Sequence, residues 1–450
     1  MNNKEQYKRI ISFFSSFILL VALAADFIFI WYECYSDVIV LPFYRRGNWV
    51  VIAIYMVLTY IFFKAYGGLT MGYLKRSDML YSQFISITAV NIITYFQISV
   101  IGRDFMKGWP MLLLTLTDFI IIALWIIANN KIYLHLYPPR KLIIIYGSRN
   151  AATLTNKMSR REDKYMICES VNIHEDLKKI KEEILKYEGV IICDVSGQIR
   201  NDIIKFCFDH SKRVYLSPKI SDILIRGGSD INLFDTPLIL CRNSGLSFEQ
   251  RLLKRILDIL LSLIAVIILS PFMLIIAAAI KINDGGDILY KQKRLTINAK
   301  EFYVYKFRSM IPDAEKTGIK LATDHDPRIT AVGRFLRKTR LDEIPQFFNI
   351  LKGDMSLVGP RPERPELTEK YETEMPEFKF RLKVKAGLTG YAQVLGVYDT
   401  TPLDKLKIDL MYIEKYSLAL DLRIILMTLK TMIFPGESNE KIDIEKQKRR

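Results

Sequence analysis

The stretch IILSPFMLII, residues 267–276, lies in the middle of an apolar run that extends over residues 256–282. A helix crosses a bilayer with about 20 apolar residues, so the run is long enough to span a membrane. Pro271 lacks a backbone donor and clashes with the carbonyl four residues earlier, so a helix in lipid bends there. Ser270 can hydrogen-bond a freed carbonyl and favour the bend. The run is therefore either a kinked spanning helix or two half-helices that return to one surface.

The charges around this run favour the returning helix. A spanning helix normally has an excess of basic residues on one side only. Here both flanks are basic, with Arg251, Lys254 and Arg255 before the run and Lys281, Lys291, Lys293 and Arg294 after it. We predict a re-entrant helix over about residues 252–282, with Ser270 and Pro271 at the hinge. A kinked spanning helix remains the alternative at this point.

Four more apolar segments open the chain, at about residues 10–31, 49–63, 80–101 and 111–128. The flanking Lys and Arg residues predict that both ends of this part lie in the cytoplasm. We predict a unit of four transmembrane helices over residues 1–135. Asp26 and Asp118 lie within these segments, where acids can mark an ion pathway. No further charges accompany them, so we expect each to face a neighbouring helix or the interface.

The composition points to a membrane protein with an anionic partner. Half of the 450 residues are hydrophobic, and the formal net charge is +16. Such a charge suits lipid headgroups, phosphorylated substrates or nucleic acid. The basic residues lie beside the membrane segments and form no single stripe, so we expect no nucleic acid partner. The five cysteines form no CxxC pair and indicate reduced, cytoplasm-facing thiols.

A polar region with alternating strands and helices follows, over residues 136–248. The stretches KLIIIYGSRN and GVIICDVSGQIRNDIIKFCFDH each resemble a strand, a turn and a helix. This alternation predicts a Rossmann-like α/β domain with a parallel sheet. The first turn lacks the GxGxxG pattern of nucleotide-binding sheets, because Gly147 is its only glycine. We therefore expect a structural or regulatory role for this domain.

The segment DPRITAVGRFLRKTRLDE carries the strongest chemical signal. Arg334, Arg337 and Arg340 recur every three residues, which places guanidinium groups along one side of a helix, suited to phosphate oxygens. Asp342 and Glu343 follow directly. One carboxylate could bind a hard divalent cation such as Mg²⁺ while the other attacks phosphorus. The chain from residue 251 on has no P-loop, no GxSxG and one histidine, which excludes a Ser-His-Asp triad there.

A purely structural interpretation of the same residues is equally compatible with the pattern. Thr339 and Asp342 have the Thr-x-x-Asp spacing of a capping box, in which Asp342 would help to begin a helix. Glu343 and Pro345 would then lie in the first turn of that helix. The pattern alone does not distinguish a catalytic pair from a helix cap.

Five long stretches, in this order, resemble the bacterial polyprenyl-phosphate sugar phosphotransferases, also called monotopic phosphoglycosyl transferases. They are KRILDILLSLIAVIILSPFMLIIAAAIKI, YKQKRLTINAKEFYVYKFRSM, DPRITAVGRFLRKTRLDEIPQFFNILKGDMSLVGPRP, KAGLTGYAQVLG and DLMYIEKYSLALDLRII. The resemblance covers about residues 250–430. It implies a mostly helical catalytic domain over residues 249–435, with a re-entrant helix and a charged tail at 436–450. The preceding parts resemble the N-terminal extension of the larger members.

The resemblance implies an activity and roles for particular residues. The family transfers a sugar 1-phosphate from a UDP-sugar to undecaprenyl phosphate, releasing UMP, in the first membrane step of capsule, exopolysaccharide or O-antigen synthesis. Asp342 matches the nucleophile that forms a covalent sugar-phosphate intermediate, and Glu343 matches its neighbour, linked to Mg²⁺. The basic residues that would engage phosphate or nucleotide are Arg337, Arg361, Arg340 and Arg308. Ser270 and Pro271 match the hinge of the re-entrant helix.

One position departs from the family pattern. After YAQVLG the family usually has a basic residue, whereas this chain has Val397. The departure keeps open a non-catalytic scaffold, and Asp26 and Asp118 motivate a transporter component of polysaccharide assembly. The expected location is the bacterial inner membrane, with the catalytic domain on the cytoplasmic face. The N-terminal helices would be structural, mediate homo-oligomer contacts or recruit partners.

Overall fold

The structure is a computed structural model that describes residues 7–38, 46–69, 72, 76–147, 152–159, 161–233, 235–241, 245–311, 326–396 and 400–433. It contains two compact units, Met1–Lys219 and Ile220–Arg450. Within these described residues, five helices are long and apolar enough to cross a membrane, four of them in the first unit. The chain is thus a mixed helix and sheet membrane protein, as predicted. Val397 and the predicted tail at 436–450 lie outside the described residues.

The first unit begins with four long helices: α1 (Lys8–Cys34), α2 (Arg46–Ala65), α3 (Arg76–Gly102) and α4 (Trp109–Leu136). Their inward faces share one hydrophobic core, in which Phe27 stacks on Tyr55. Asp26 and Asp118 each face a neighbouring helix, as expected. Asp26 accepts a hydrogen bond from Thr117 at 2.6 Å, and Asp118 accepts one from Asn91 at 2.9 Å. No ion pathway is needed to account for these two acids.

A parallel sheet with three helices completes this unit. Its elements are β1 (Arg140–Tyr146), α5 (Ala152–Ser159), β2 (Tyr165–Asn172), α6 (Leu177–Lys186), β3 (Gly189–Cys193), α7 (Gly197–Asp209) and β4 (Arg213–Leu216). The strand order is β2-β1-β3-β4, and every described pairing is parallel. The apolar run of β1 is buried on both faces, which is typical of a parallel strand covered by helices.

The structure explains why residue 147, directly after β1, is a glycine. A Cβ atom there would lie 2.0 Å from the Asp194 carbonyl oxygen, so the turn after β3 occupies the space that a side chain would need. The Gly147 amide also donates to the Cys193 carbonyl at 3.0 Å. The single glycine of this turn therefore fits close backbone packing. The Rossmann-like assignment and its structural role remain predictions.

The second unit begins with α8 (Ile220–Arg226) and a hairpin of β5 (Ser229–Leu233) and β6 (Thr236–Leu240). Ile223 of α8 is buried in the main core of this unit, together with Leu406 and Leu410. The two compact units consequently divide at Lys219, whereas the sequence predicted a domain limit at residues 248 and 249. The predicted limits at 135, 249 and 435 remain predictions.

Helix α9 (Phe248–Asp284) is the fifth apolar helix and is continuous through Ser270 and Pro271. It begins with a capping box of Ser247 and Gln250. Pro271 leaves the carbonyl four residues earlier, that of Ile267, without its helical donor. The Ser270 hydroxyl donates to that carbonyl at 2.9 Å. This bond gives the Ile267 carbonyl a donor, so the helix continues past the proline. The re-entrant hinge at Ser270 and Pro271 remains a prediction.

A second hairpin and several short elements follow α9. They are β7 (Leu289–Leu295), β8 (Glu301–Phe307), α10 (Ala331–Thr339), α11 (Gln346–Lys352), β9 (Ser356–Val358), α12 (Pro365–Glu374), β10 (Gly387–Thr389), α13 (Tyr391–Leu395), α14 (Pro402–Glu414) and α15 (Leu418–Ile433). Strands β7 and β8 are antiparallel, and β9 pairs with β10 in parallel. The second half of α9 packs Ile276 and Ile280 against Phe307, Leu336 and Ile344. This contact joins the apolar helix to the segment that carries Asp342 and Glu343.

Candidate active site

Asp342 and Glu343 lie in a single 3₁₀ turn, Leu341–Glu343, between α10 and α11. Arg340 ends α10 in the left-handed conformation, with φ of 56°, and thereby turns the chain. The Thr339 hydroxyl donates back to the Phe335 carbonyl at 2.8 Å, and no side chain caps this turn. The capping-box interpretation of Thr339 and Asp342 is therefore wrong. Neither carboxylate caps a helix in this turn.

Glu343 is held by two cations. Lys306 Nζ donates to Glu343 Oε1 at 2.7 Å, and Arg361 Nη2 lies 3.4 Å from the same oxygen. Burial acts to raise the pKa of Glu343, but Lys306, Arg361 and Arg340 outweigh it and lower the pKa to about 2. Glu343 is thus a fixed anion at neutral pH.

The pKa of Asp342 moves in the opposite direction. Burial of its carboxyl group raises the pKa, and the adjacent Glu343 charge adds to the rise. Lys306 and Arg337 act against this rise without cancelling it. Asp342 is 8% exposed and therefore has little hydration to lose when a substrate approaches. A poorly hydrated carboxylate beside a fixed anion and several cations is suited to attack on a phosphorylated substrate.

The structure brings three of the four predicted arginines to the pair. Arg361 contacts Glu343 directly, while Arg337 and Arg340 act on the pKa values of Asp342 and Glu343 respectively. The Arg308 guanidinium packs at the end of α9, where a Cβ on Gly286 would lie 2.0 Å from it. Its predicted role in substrate binding remains a prediction.

Lys306, the main partner of Glu343, was not predicted from the sequence. It lies on β8, two residues before Arg308 in the stretch YVYKFRSM. Side chains two residues apart project from the same face of a strand, so Lys306 could have been grouped with Arg308. Its pairing with Glu343 joins residues far apart in the chain and is visible only in the folded structure.

A buried charge network fixes the loop that carries Arg361. Arg381 donates to the Arg361 carbonyl at 3.0 Å and pairs with Asp409 at 2.8 Å. Glu363 accepts a hydrogen bond from Lys405. Burial raises the pKa of Glu363, but Lys405 and Arg381 outweigh it and lower the pKa. This loop also lines a small pocket bounded by Leu295, Pro360, Arg361, Glu363, Thr368, Arg381, Leu382, Val384 and Ala386.

Helix α11 and strand β8 are locked together by Asn349, which is fully buried. Its side chain accepts from the Tyr305 amide at 2.9 Å and donates to the Tyr303 carbonyl at 2.7 Å. Arg255 of α9 donates to the carbonyls of Ile350 and Leu351 at the end of α11, at 2.6 and 2.7 Å. These bonds fix the position of Lys306 on β8 relative to the turn that carries Glu343, which lies shortly before α11.

The carboxylates at this site can supply only some of the ligands that a metal ion needs. Within the described part of the chain, no three His, Cys, Asp or Glu side chains lie together as a metal site. Asp342 and Glu343 offer carboxylate oxygens, the ligands that Mg²⁺ prefers. Mg²⁺ commonly takes one or two carboxylates and completes its shell with water and substrate phosphates. The pair therefore fits a Mg²⁺ ion that is bound together with a phosphorylated substrate.

Comparison with known proteins places this half of the chain in a family. The bacterial sugar transferase profile matches residues 249–435. A UDP-N-acetylgalactosamine-undecaprenyl-phosphate N-acetylgalactosaminephosphotransferase of Aeromonas hydrophila is 42% identical over 184 residues, 40% of this chain and 44% of the relative. A UDP-glucose:undecaprenyl-phosphate glucose-1-phosphate transferase of Escherichia coli is 40% identical over 47% of this chain and 44% of the relative.

A shorter relative matches over almost its whole length. The exopolysaccharide production protein PSS of Rhizobium leguminosarum is 39% identical over 194 residues, 41% of this chain and 97% of the relative. The matched part of the chain spans less than half the length of the two larger relatives. The stretches that carry Asp342, Glu343 and the arginines all lie within the region that the family profile covers. The chain belongs to the bacterial sugar transferase family, the polyprenyl-phosphate sugar phosphotransferases that its motifs predict.

Proposed function

We propose that this protein transfers a sugar 1-phosphate from a UDP-sugar to undecaprenyl phosphate and so begins the synthesis of a capsule, exopolysaccharide or O-antigen. The products are undecaprenyl-diphosphate-sugar and UMP. The observation that carries the proposal is the buried Asp342 carboxylate beside Glu343, which Lys306 and Arg361 hold in place. The names of the relatives, with their undecaprenyl-phosphate acceptors, support the same reaction.

In the first step, a carboxylate oxygen of Asp342 attacks the phosphorus that bears the sugar. The bond from this phosphorus to the bridging oxygen of the diphosphate breaks, and its electron pair leaves on UMP. No proton has to move, because the nucleophile is an anion and UMP departs as an anion. Arg337 and Arg361 engage the phosphate oxygens, where planar guanidinium groups can make two parallel hydrogen bonds.

In the second step, a phosphate oxygen of undecaprenyl phosphate attacks the same phosphorus. The bond to Asp342 breaks, and the carboxylate is regenerated with its electron pair. Atoms and charges balance over both steps, and each step exchanges one phosphorus–oxygen bond for another. Because the sugar phosphate stays on Asp342, UMP can leave before the lipid acceptor enters. One small site can therefore serve both substrates.

Glu343 and Lys306 position Asp342 and set the electrostatic field around its carboxylate. Glu343 would hold Mg²⁺ when it is bound with substrate, and the ion would supply charge neutralisation to the diphosphate. Lys306 restrains the Glu343 carboxylate at 2.7 Å and lies close enough to lower the pKa of Asp342. The balance of these charges keeps Asp342 ionised while burial keeps it poorly hydrated.

The proposed membrane arrangement places this chemistry at the cytoplasmic surface of the inner membrane. Helix α9 would enter the membrane, bend at Ser270 and Pro271 and return, because basic residues flank it on both sides. The isoprenoid of the acceptor lies in the bilayer with its phosphate at headgroup level, where a domain resting on the surface can reach it. The four N-terminal helices and the Rossmann-like domain would be structural or recruit partners.

UMP release tests this function directly. The full chain, purified in nanodiscs, is given Mg²⁺, undecaprenyl phosphate and UDP-sugars one at a time. We expect UMP with at least one donor, and a loss of at least about a thousandfold in Asp342→Asn, because this variant lacks the nucleophile. Asp202→Asn, which changes an exposed aspartate of α7, is the matched control and should keep full activity.

Two other results would contradict the proposal. UMP release that persists in Asp342→Asn would remove the covalent mechanism. No UMP with any donor, from folded protein with accessible lipid, would favour a non-catalytic scaffold or a transporter component of polysaccharide assembly.

A further inference from the structure

A second polar pocket lies in the first unit, at the ends of the membrane helices. It is a shallow pocket, and its space of about 410 Å³ includes the open solvent at its mouth. Its walls come from α3, from α4 and from two residues outside them: Gly72, Arg76, Met79, Ile126, Asn129, Asn130, Tyr133 and Asp163. Nothing in the proposed transfer reaction uses these residues.

The pocket changes from apolar to polar along the helices. On α3, Met79 is one turn further into the apolar segment than Arg76. On α4, Ile126 is further into the segment than Asn129 and Tyr133. The polar end of the pocket therefore lies at the membrane surface, and its apolar end meets the core of the helix bundle.

The polar end carries an excess of positive charge. Asp163, the acid in the wall, is already paired with Arg161 at 2.9 Å. Lys8 donates to the Tyr133 hydroxyl at 2.7 Å, directly behind the pocket wall. Burial lowers the pKa of Lys164, and the neighbouring charges of Arg161 and Lys8 lower it further. A bound anion would relieve this repulsion among the cations.

Arg76 supplies the donor that such an anion needs. Its side chain is exposed to the pocket and makes no hydrogen bond or ion pair within the described residues. The amides of Asn129 and Asn130 line the same wall and can donate as well. A guanidinium group with adjacent amides is a suitable arrangement for a phosphate group.

We propose that this pocket binds the phosphate headgroup of an anionic membrane phospholipid, with Met79 and Ile126 of the bundle core closing its apolar end. The lipid is favoured over a soluble phosphate because the pocket lies at the ends of two membrane-length helices, at the level of lipid headgroups. Lys8 lies over the rings of Tyr133 and Tyr137, which pack at a tilt at this level, and tyrosine and lysine are typical anchors at the membrane interface. The bound lipid would join the membrane helices to the polar segment around Asp163.

Native mass spectrometry of the full chain, released from nanodiscs, tests the site. In wild type we expect one phosphatidylglycerol retained in preference to phosphatidylcholine. Arg76→Gln should weaken this retention about fivefold, since one basic residue near anionic lipid contributes about that factor. Arg76→Lys should keep most of it. Lys131→Gln is the matched control, because Lys131 is exposed on the same end of α4 outside the pocket.

Thermal unfolding distinguishes a lipid phosphate from a soluble phosphate, and it also shows whether the variant is folded. Phosphatidylglycerol should raise the unfolding temperature of wild type more than that of Arg76→Gln, while both are equal in phosphatidylcholine alone. Equal lipid retention in wild type and Arg76→Gln would overturn the proposal. Stabilisation by inorganic phosphate, without preference for phosphatidylglycerol, would also overturn it and indicate a soluble ligand.

Discussion

At the scale of single residues, Asp342 and Glu343 are adjacent but respond to their surroundings in opposite ways. Glu343 has two cationic partners and a pKa lowered to about 2, despite its burial. Asp342 is buried beside that charge, and its pKa is raised. A group with a lowered pKa stabilises the fold at neutral pH, whereas a group with a raised pKa destabilises it. Where Asp342 is ionised, its charge therefore lowers the stability of the fold.

Neutral variants of the two acids should therefore differ in stability. Asp342→Asn removes a poorly solvated charge and should raise the unfolding temperature at pH 7. Glu343→Gln leaves Lys306 without its anion and should lower the free energy of unfolding by roughly 1–3 kcal/mol. Thermal unfolding of both full-length variants in one detergent measures the difference. A lower unfolding temperature in Asp342→Asn than in wild type would contradict the opposite roles assigned to the two acids.

The pH dependence of stability follows from the same shifts. The stabilisation from Glu343 is complete above its ordinary pKa of 4.5 and is lost as the pH falls towards about 2. Wild type should lose stability over this range, and Glu343→Gln should lose less. Parallel unfolding scans between pH 5 and pH 3 measure the difference. Identical pH profiles for the two proteins would show that Lys306 and Arg361 do not hold Glu343 as an anion.

Lys306 should matter for catalysis beyond its contribution to folding. Lys306→Met should reduce UMP release by about 10- to 100-fold, because Glu343 loses its main partner and Asp342 loses a nearby cation. Lys300→Met, an exposed change just before the same strand, is the control. If Lys306 only stabilises the fold, activity per folded molecule will be unchanged in Lys306→Met.

At the scale of elements, a buried charge network joins α9 to α14 and α15. Lys254 of α9 donates to Asp421 at 2.5 Å and to the Tyr412 hydroxyl at 3.1 Å, and Tyr412 donates to Asp421 at 2.8 Å. The side chains of Lys254 and Asp421 are less than a tenth exposed. Removing one partner of such a pair leaves an uncompensated charge in the core.

Lys254→Met should accordingly destabilise the protein by about 3–5 kcal/mol. Adding Asp421→Asn should recover part of that loss, because the second change removes the unpaired charge. Thermal unfolding of the single and double variants measures the recovery. Equal destabilisation in both would mean that the lysine contributes by packing its methylene chain and not by its charge.

The elements differed in how well the sequence predicted them. Long apolar runs predicted all five membrane-length helices, since a nearly uncharged apolar run of about 20 residues is typical of a helix in lipid. The bond from the Ser270 hydroxyl to the carbonyl that Pro271 leaves free was predicted as well, while the bend expected there remains a prediction. The spacing of Thr339 and Asp342 suggested a capping box, but the Thr339 hydroxyl bonds the Phe335 carbonyl of its own helix instead. Local patterns indicate the available partners, and tertiary packing chooses among them.

At the scale of the whole molecule, the chain has two compact units, and the family region lies within the second. A share of 41% of this chain matches 97% of the short Rhizobium relative, so we expect the family region to work without the first unit. A fragment of residues 220–450 should therefore release UMP at a rate within about threefold of the full chain. Complete loss of activity in the folded fragment would assign a catalytic role to the first unit.

The starting point of such a fragment matters. A fragment beginning at residue 246 lacks Ile223, which is buried in the core of the second unit. Loss of a buried isoleucine side chain costs about 2–5 kcal/mol, so this fragment should unfold at a lower temperature than residues 220–450. Equal unfolding temperatures would place the limit of the catalytic unit at residue 248, as the sequence predicted.

The covalent role of Asp342 is tested by the mass of the protein after reaction with donor alone. Full-length protein is incubated with Mg²⁺ and its UDP-sugar without undecaprenyl phosphate, and the peptide that contains Asp342 is analysed by mass spectrometry. We expect UMP release up to one per protein and a sugar phosphate on Asp342, both absent in Asp342→Asn. Undecaprenyl phosphate should then remove the sugar phosphate. UMP that forms only when the acceptor is present, with no modified peptide, would rule out the covalent mechanism.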